Sequence, residues 1–321
     1  DFESVDTNGN RAPPIPNQPL PRLSYVREGL KEGLVQEEAP GANPFKLGML
    51  ASTDTHNSTP GQTSDRDFAR TGHTGINDGA LAQRAGLTSV ARQRNAGGLA
   101  VVWAEENTRE AIFDAIKRKE TTGSSGPLIR VRFFGGWNYP DDMTSDPDFV
   151  KKGYDGGVPM GGDLPPIPAG AKAPTFAVWA LKDPESGNLD RIQIIKGYLG
   201  GRFDNQEEKI YEVALSDGRT VDPKTGKVPP VGNMVDVEKA TYTNDIGDSQ
   251  LSAVWTDPDF DPTEPAVYYV RVLEIPTPRW TTYDSVRSGL PIPEGVPVTH
   301  QERAWSSPIW YSPEANKTAS K

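Results

Sequence analysis

Residues 47–57 read Leu47-Gly48-Met49-Leu50-Ala51-Ser52-Thr53-Asp54-Thr55-His56-Asn57. An apolar run that ends in Asp-x-His predicts a buried strand, here Phe45 to Ser52, carrying two ligand-type side chains at its C-terminal end. Open and barrel α/β folds place their chemistry at that end. The two-residue period of a strand puts Asp54 and His56 on the same side. An oxygen and a nitrogen donor offered together suit zinc, manganese or iron. A capping Asp beside a partly exposed His has the same spacing, so spacing alone leaves both readings open. The chain has three histidines, and this one sits between small residues that let ligands approach. Pro60-Gly61 then starts a loop.

Upstream, Asp1 to Pro21 is rich in Pro, Asn and Asp and reads as an extended linker. Ser24 to Glu38 reads as a helix capped by Ser24, with Leu23, Val26, Leu30 and Leu34 on one face and Arg27, Lys31 and Glu32 towards solvent. Pro40-Gly41 ends it. Helix, short loop and apolar strand together form the αβ half of a parallel α/β unit. Downstream, residues 58–98 are polar and glycine-rich and read as an insertion over the strand end. They contain His73, bracketed by Gly72 and Gly75. Leu99 to Ala104 is the next predicted strand and delivers Glu105 and Glu106. Asn107 and Glu110 fit a capping box for a helix running to Lys119, with Ile112, Phe113 and Ile116 inward. Thr121 to Pro127 reads as a tight connection.

From Leu128 the pattern changes. Thr175–Leu181, Arg191–Lys196, Ile210–Leu215, Leu251–Trp255 and Ala266–Ile275 read as strands separated by turn signals such as Ser216-Asp217-Gly218. No strong helix is predicted there. The fold class is therefore α/β plus all-β: residues 1–127 as an α/β unit, residues 128–321 as an antiparallel, sandwich-like β-domain.

Composition narrows the function classes. The 321 residues include 32 glycines and 30 prolines, which favours a loop-rich β-protein over a helical bundle. A net charge of −10 argues against nucleic-acid or anionic-membrane partners. No window is apolar for long enough to span a membrane as a helix. There is no cysteine, which excludes disulfides, thiolate metal sites and cysteine nucleophiles.

Several longer motifs go beyond spacing. S-T-D-T-H-N (52–57) is followed by W-A-E-E-N-T-R-E-A-I-F-D-A-I-K-R-K-E-T-T-G-S-S-G-P (103–127), V-P-M-G-G-D-L (158–164) and A-V-W-T-D-P-D-F-D-P (253–262). R-V-L-E-I-P-T-P-R-W-T-T-Y-D (271–284) and E-R-A-W-S-S-P-I-W-Y (302–311) come last. Their order, from about Ser24 onward, resembles a bacterial branch of PHP-type (polymerase and histidinol phosphatase) metallohydrolases, domain-of-unknown-function family 3604. The resemblance implies a distorted (β/α)7 barrel holding two or three divalent metals (zinc, manganese or iron). It also implies hydrolysis of a small anionic ester, phosphate or sulfate, by a metal-bound hydroxide. The last metal motif of that superfamily maps onto Asp54 and His56. Its first motif, His-x-His, is absent from this chain. The expectation is therefore that the chain is the C-terminal portion of such a protein, the remaining ligands coming from an N-terminal half or a second chain. Exported or periplasmic localisation and an oligomer are compatible with the resemblance.

Further candidates carry competing readings. Glu105 could orient His56 or donate a proton, or could simply favour the next helix N-terminus. His73 could close over a substrate or be solvated. Asp257-Pro258-Asp259-Phe260-Asp261 opens like a calcium loop but has Pro262 where glycine is needed, and reads as an acidic turn. Arg279-Trp280 reads as a substrate rim or a domain contact. The alternative function is a non-catalytic, β-rich binding or assembly module of an exported protein.

Overall fold

Residues 266–274, Ala-Val-Tyr-Tyr-Val-Arg-Val-Leu-Glu, alternate between two apolar sets. In the computed structural model, which describes residues 25–38, 42–53, 60–67, 96–200, 206–292 and 294–313, they form a strand. Its Ala266, Tyr268, Val270 and Val272 enter one core, while Val267 and Tyr269 enter another. Successive strand side chains point to opposite faces, so a strand apolar on both faces needs a covering layer on each.

The described elements run in chain order as α1 (Val26–Glu38), β1 (Leu99–Val102), α2 (Arg109–Lys117), β2 (Thr121–Ser124), β3 (Arg130–Gly136), α3 (Phe149–Gly156), β4 (Gly157–Pro159), β5 (Thr175–Leu181), β6 (Leu189–Tyr198) and β7 (Glu207–Leu215). They continue with β8 (Val235–Asp236), β9 (Thr241–Tyr242), β10 (Gln250–Thr256), β11 (Ala266–Glu274), β12 (Thr277–Pro278), α4 (Trp280–Ser288), β13 (Thr299–His300), β14 (Arg303–Ser306) and β15 (Ile309–Tyr311). Short 3₁₀ turns occupy Asp65–Asp67 and Met143–Ser145.

A larger sheet runs β1-β2-β14-β11-β6-β7, with β15 also on β11, and a smaller one runs β10-β5-β3-β4. The pairings within both sheets are antiparallel. The two sheets share a core in which Val131, Phe133, Phe176 and Val178 meet Ile192, Ile194, Tyr268 and Val270. Each large apolar side chain buried there contributes roughly 1.5–3 kcal/mol. α1 lays Leu30 and Leu34 on the outer face of the larger sheet, against Ile195, Tyr269 and Trp310. α3 covers the smaller sheet, where Phe149 meets Phe134 edge-on with ring centroids 5.5 Å apart.

The architecture is thus mixed but mostly β and antiparallel. Among the described residues no barrel closes, since the larger sheet ends at β1 on one side and β7 on the other. No described helix is long and apolar enough to cross a membrane. β1 and β2 precede residue 128, yet they sit in one sheet with β14 and β11.

Several expectations need correction. Residues 45–52 carry no regular secondary structure and are not a buried strand: Leu47 and Leu50 are exposed, and no ladder forms. The backbone of this segment is taken up by other groups. Met49 N–H donates to Ser307 Oγ at 2.8 Å, Thr121 Oγ1 donates to the Met49 carbonyl at 2.8 Å, and Gly98 N–H donates to the Ser52 carbonyl at 2.8 Å. The segment lies so close over β2 that a Cβ on Gly123 would come within 2.9 Å of Ala51 N. β1 runs antiparallel to β2, so no parallel α/β unit forms here.

The Thr121–Pro127 connection contains the buried strand β2. α2 is capped by Thr108, whose Oγ1 accepts from Ala111 N–H at 3.3 Å, and not by Asn107. It buries Ala115 and leaves Phe113 and Ile116 exposed, contrary to the expected inward face. Lys31, expected in solvent, is buried. Two helices, α3 and α4, occur where none was expected. α3 sits over an aromatic patch, and α4 ends at Gly289 with φ 70°, a left-handed cap that glycine adopts without strain. The expected strands from residue 175 onward are present as β5, β6, β7, β10 and β11.

Candidate metal centre

Three side chains from distant parts of the sequence converge beside α4. Asp65 lies in the 3₁₀ turn Asp65–Asp67, His300 on β13, and Glu302 in the link between β13 and β14. One ligand atom from each lies within 4.8 Å of the others. His300 Nε2 is 3.4 Å from Asp65 Oδ2 and 3.2 Å from Glu302 Oε1.

Local structure fixes each member. β13 pairs with β12, setting His300 opposite Thr277. The Glu302 carbonyl accepts from Glu274 N–H at 2.8 Å, which ties Glu302 to the end of β11. Its side chain accepts from Ser125 Oγ, and Arg303 N–H donates to the same Ser125 hydroxyl at 2.8 Å. Asp65 Oδ1 accepts from Trp280 N–H at 2.7 Å, at the first turn of α4, where unpaired amides favour a carboxylate. Thr63 Oγ1 donates to the Gly126 carbonyl at 2.6 Å and docks the 60–67 segment on the end of β2.

The electrostatics follow from a buried carboxylate, Glu302, and a half-buried one, Asp65, beside one imidazole. Burial disfavours the charged form of His300, but Asp65 and Glu302 overcome it and raise its pKa to about 9. Burial pushes Glu302 up to about 8, helped by Asp65 and opposed by His300. Asp65 moves the other way: burial would raise it, but His300 and the Trp280 N–H bring it below its ordinary value. His300 Nε2 is buried and faces both carboxylates as an ion pair, without a well-aligned hydrogen bond to either.

This donor set fits a divalent ion. Ligand bonds of about 2.0–2.1 Å in tetrahedral geometry place neighbouring donors roughly 3.3 Å apart, close to the separations around His300. A nitrogen with two carboxylates is a three-ligand set that leaves a coordination position open. The centre borders a cleft of about 850 Å³, lined by Asp67, Asp183, Ser186, Tyr242 and Tyr283 besides Asp65 and Glu302.

The residues singled out in sequence distribute differently. Asp54, His56 and His73 lie outside the described residues. Glu105 is exposed and lines a separate cleft, while Glu106 accepts from Thr108 Oγ1 at 3.2 Å. Arg279 and Trp280 are buried, not on a rim. The Asp257-Pro-Asp-Phe-Asp turn is consumed by protein partners. Lys196 Nζ and Tyr268 Oη bind Asp257 at 2.6 and 2.7 Å, and Lys209 and Tyr211 each bind Asp259 at 2.7 Å. A signal for the missed centre was present: His300-x-Glu302 has the same two-residue spacing that drew attention to Asp54-x-His56.

A family model described as "Protein of unknown function (DUF3604)" matches residues 1–313. No curated protein and no solved structure matches the chain.

Proposed function

The chain belongs to that family of proteins of unknown function, and on this premise we propose that it is the metal-binding part of a hydrolase acting on a small anionic ester. The observation that carries the reading is the convergence of His300 Nε2, Asp65 Oδ2 and Glu302 Oε1. Asp65, His300 and Glu302 would hold a divalent ion. When bound, it would supply Lewis-acid polarisation of an ester oxygen and acidification of a water molecule. Ser125 and the Trp280 N–H hold the outer oxygens of the two carboxylates and so orient their inner oxygens. Asp54 and His56, nine to eleven residues before Asp65 in the sequence, belong to the same proposal. So do a PHP-like barrel, completion of the site by another segment or chain, and an exported location.

The test is metal content and calorimetric binding of zinc and manganese, with hydrolysis of p-nitrophenyl phosphate and p-nitrophenyl sulfate. His300→Ala and Glu302→Gln are measured beside Asp54→Ala and His56→Ala. Loss of metal and activity in both pairs supports one site built from both segments. Unchanged metal and activity in all four variants overturns the reading.

A second reading has its own observation. The same contacts fasten residues 60–67 to α4 and to the end of β2, so His300 could serve as a charged staple in a non-catalytic binding module. Absence of metal binding together with lower stability of His300→Ala would favour it.

A further inference from the structure

A second cleft, of about 560 Å³, opens at the end of β1 between the C-terminus of α2 and α3. Its chemistry differs from that of the metal centre. The Arg132 guanidinium, presented by β3, sits over the Trp103 ring with its carbon 3.5 Å from the ring centroid. Its Nη1 reaches Tyr154 Oη at 3.4 Å. Among the described residues, Arg132 forms no ion pair. Glu120, the buried acid nearby, is already engaged at both oxygens. Arg118 Nε binds one at 2.7 Å, and the Tyr154 hydroxyl donates to the other. Burial lowers the pKa of Arg132, although a guanidinium stays charged at any physiological pH.

Glu120 acts on Arg132 only at a distance and through the Tyr154 hydroxyl, and a half-buried cation without a directly bonded carboxylate favours an anion that meets it. The stack on Trp103 orients the guanidinium before any ligand arrives, and its Nε and Nη2 donors remain for a two-pronged contact. Trp103 and Tyr154 supply apolar wall for a short organic body. Glu105, exposed at the rim, opposes a second negative charge.

We propose that this cleft binds a small organic monocarboxylate, with Arg132 as its anchor and Arg118 as the second cation of the site. The proposal goes beyond the hydrolase reading and stands without it. β2 links the two sites along the chain: Glu120 precedes it, and Ser125, which holds Glu302, follows it.

The experiment is a calorimetric titration of chelator-treated full-length chain with benzoate, acetate and inorganic phosphate. Saturable binding is expected, benzoate tighter than acetate and phosphate weakest. Arg132→Gln should weaken benzoate by at least about tenfold, and Arg132→Lys should also weaken it, because an ammonium cannot fork. Glu105→Gln, at an exposed position that leaves folding intact, should tighten benzoate and narrow the gap to phosphate. His300→Ala should leave benzoate unchanged, so failure of the metal centre and failure of this site are separable. Non-saturable binding in the wild type, phosphate as the tightest probe, or no response to Glu105→Gln overturns the proposal. Equal benzoate affinity in a folded Arg132→Gln also overturns it.

Discussion

The acidic turn after β10 and the acidic cluster beside α4 are made of similar side chains and end in opposite states. In the turn, Asp257 is buried with an ammonium and a phenol at hydrogen-bond distance, and its backbone neighbour Asp259 N–H donates to its second oxygen at 2.9 Å. The Asp257 charge is matched by Lys196, and both of its oxygens have partners. In the cluster, buried Glu302 and half-buried Asp65 share one imidazole, whose Nε2 lies 3.2 and 3.4 Å from them without a well-aligned hydrogen bond. The difference teaches what separates a structural acid from a candidate ligand. Asp257 and Glu302 are both buried carboxylates, so the decision rests on whether the protein itself completes their coordination. A saturated site has nothing to offer an ion, while an unsaturated one is paid for in stability and is retained where a ligand completes it.

The largest test of this contrast is Lys196→Ala. It leaves Asp257 buried without its cation and should cost about 3–5 kcal/mol, read as a lower urea midpoint at unchanged slope. A cost near zero would erase the distinction from the structural side.

Metal addition comes next. Zinc at about 100 times its Kd should raise the unfolding free energy of the wild type by about 2.7 kcal/mol. His300→Ala should abolish that rise, and Asp259→Asn, in the saturated turn, should leave it intact. An equal rise in all three proteins would place the ion elsewhere.

A third test uses Glu274, whose backbone links it to the cluster. Burial raises its pKa well above 4.5 and the Ser186 hydroxyl opposes the shift, donating to Oε2 at 2.7 Å. A raised folded pKa stabilises the protein below the unfolded value and loses that contribution as pH rises. Glu274→Gln, which cannot ionise, should therefore match the wild type near pH 4 and exceed it at pH 8 in chemical denaturation. Parallel pH profiles for the two proteins would show that Glu274 does not titrate on its own.

The smallest expected effect belongs to Lys209→Ala, which removes a half-exposed partner of Asp259. It should cost only about 0.2–1 kcal/mol. A loss as large as that of Lys196→Ala would mean that the whole turn acts as one network.

Much of the β-fold was legible because alternation is a local property. β5 occupies the residues its pattern predicted, and β11 departs by one residue at its end. The 45–52 run misled because apolar content does not say whether a neighbouring edge is available. Its backbone meets side-chain hydroxyls of Thr121 and Ser307 instead. α2 misled for the related reason that helical periodicity names a face, not what covers it. At the site, Glu105 was found by sequence and belongs to a cleft different from the one expected for it. Asp65 was overlooked, since a lone acid in a polar loop carries no local signal.

The sequence alone determined which segments extend, where the main turns fall, and that thiol chemistry is excluded. Each of these depends on residue type and near-neighbour period. Only the tertiary structure decided that Asp65 meets His300 and Glu302 across more than two hundred residues. It also decided that Arg132 has no directly bonded carboxylate among the described residues while Lys196 has one. Antiparallel pairing and loop docking choose an element's neighbours, and a side chain's chemistry depends on those neighbours.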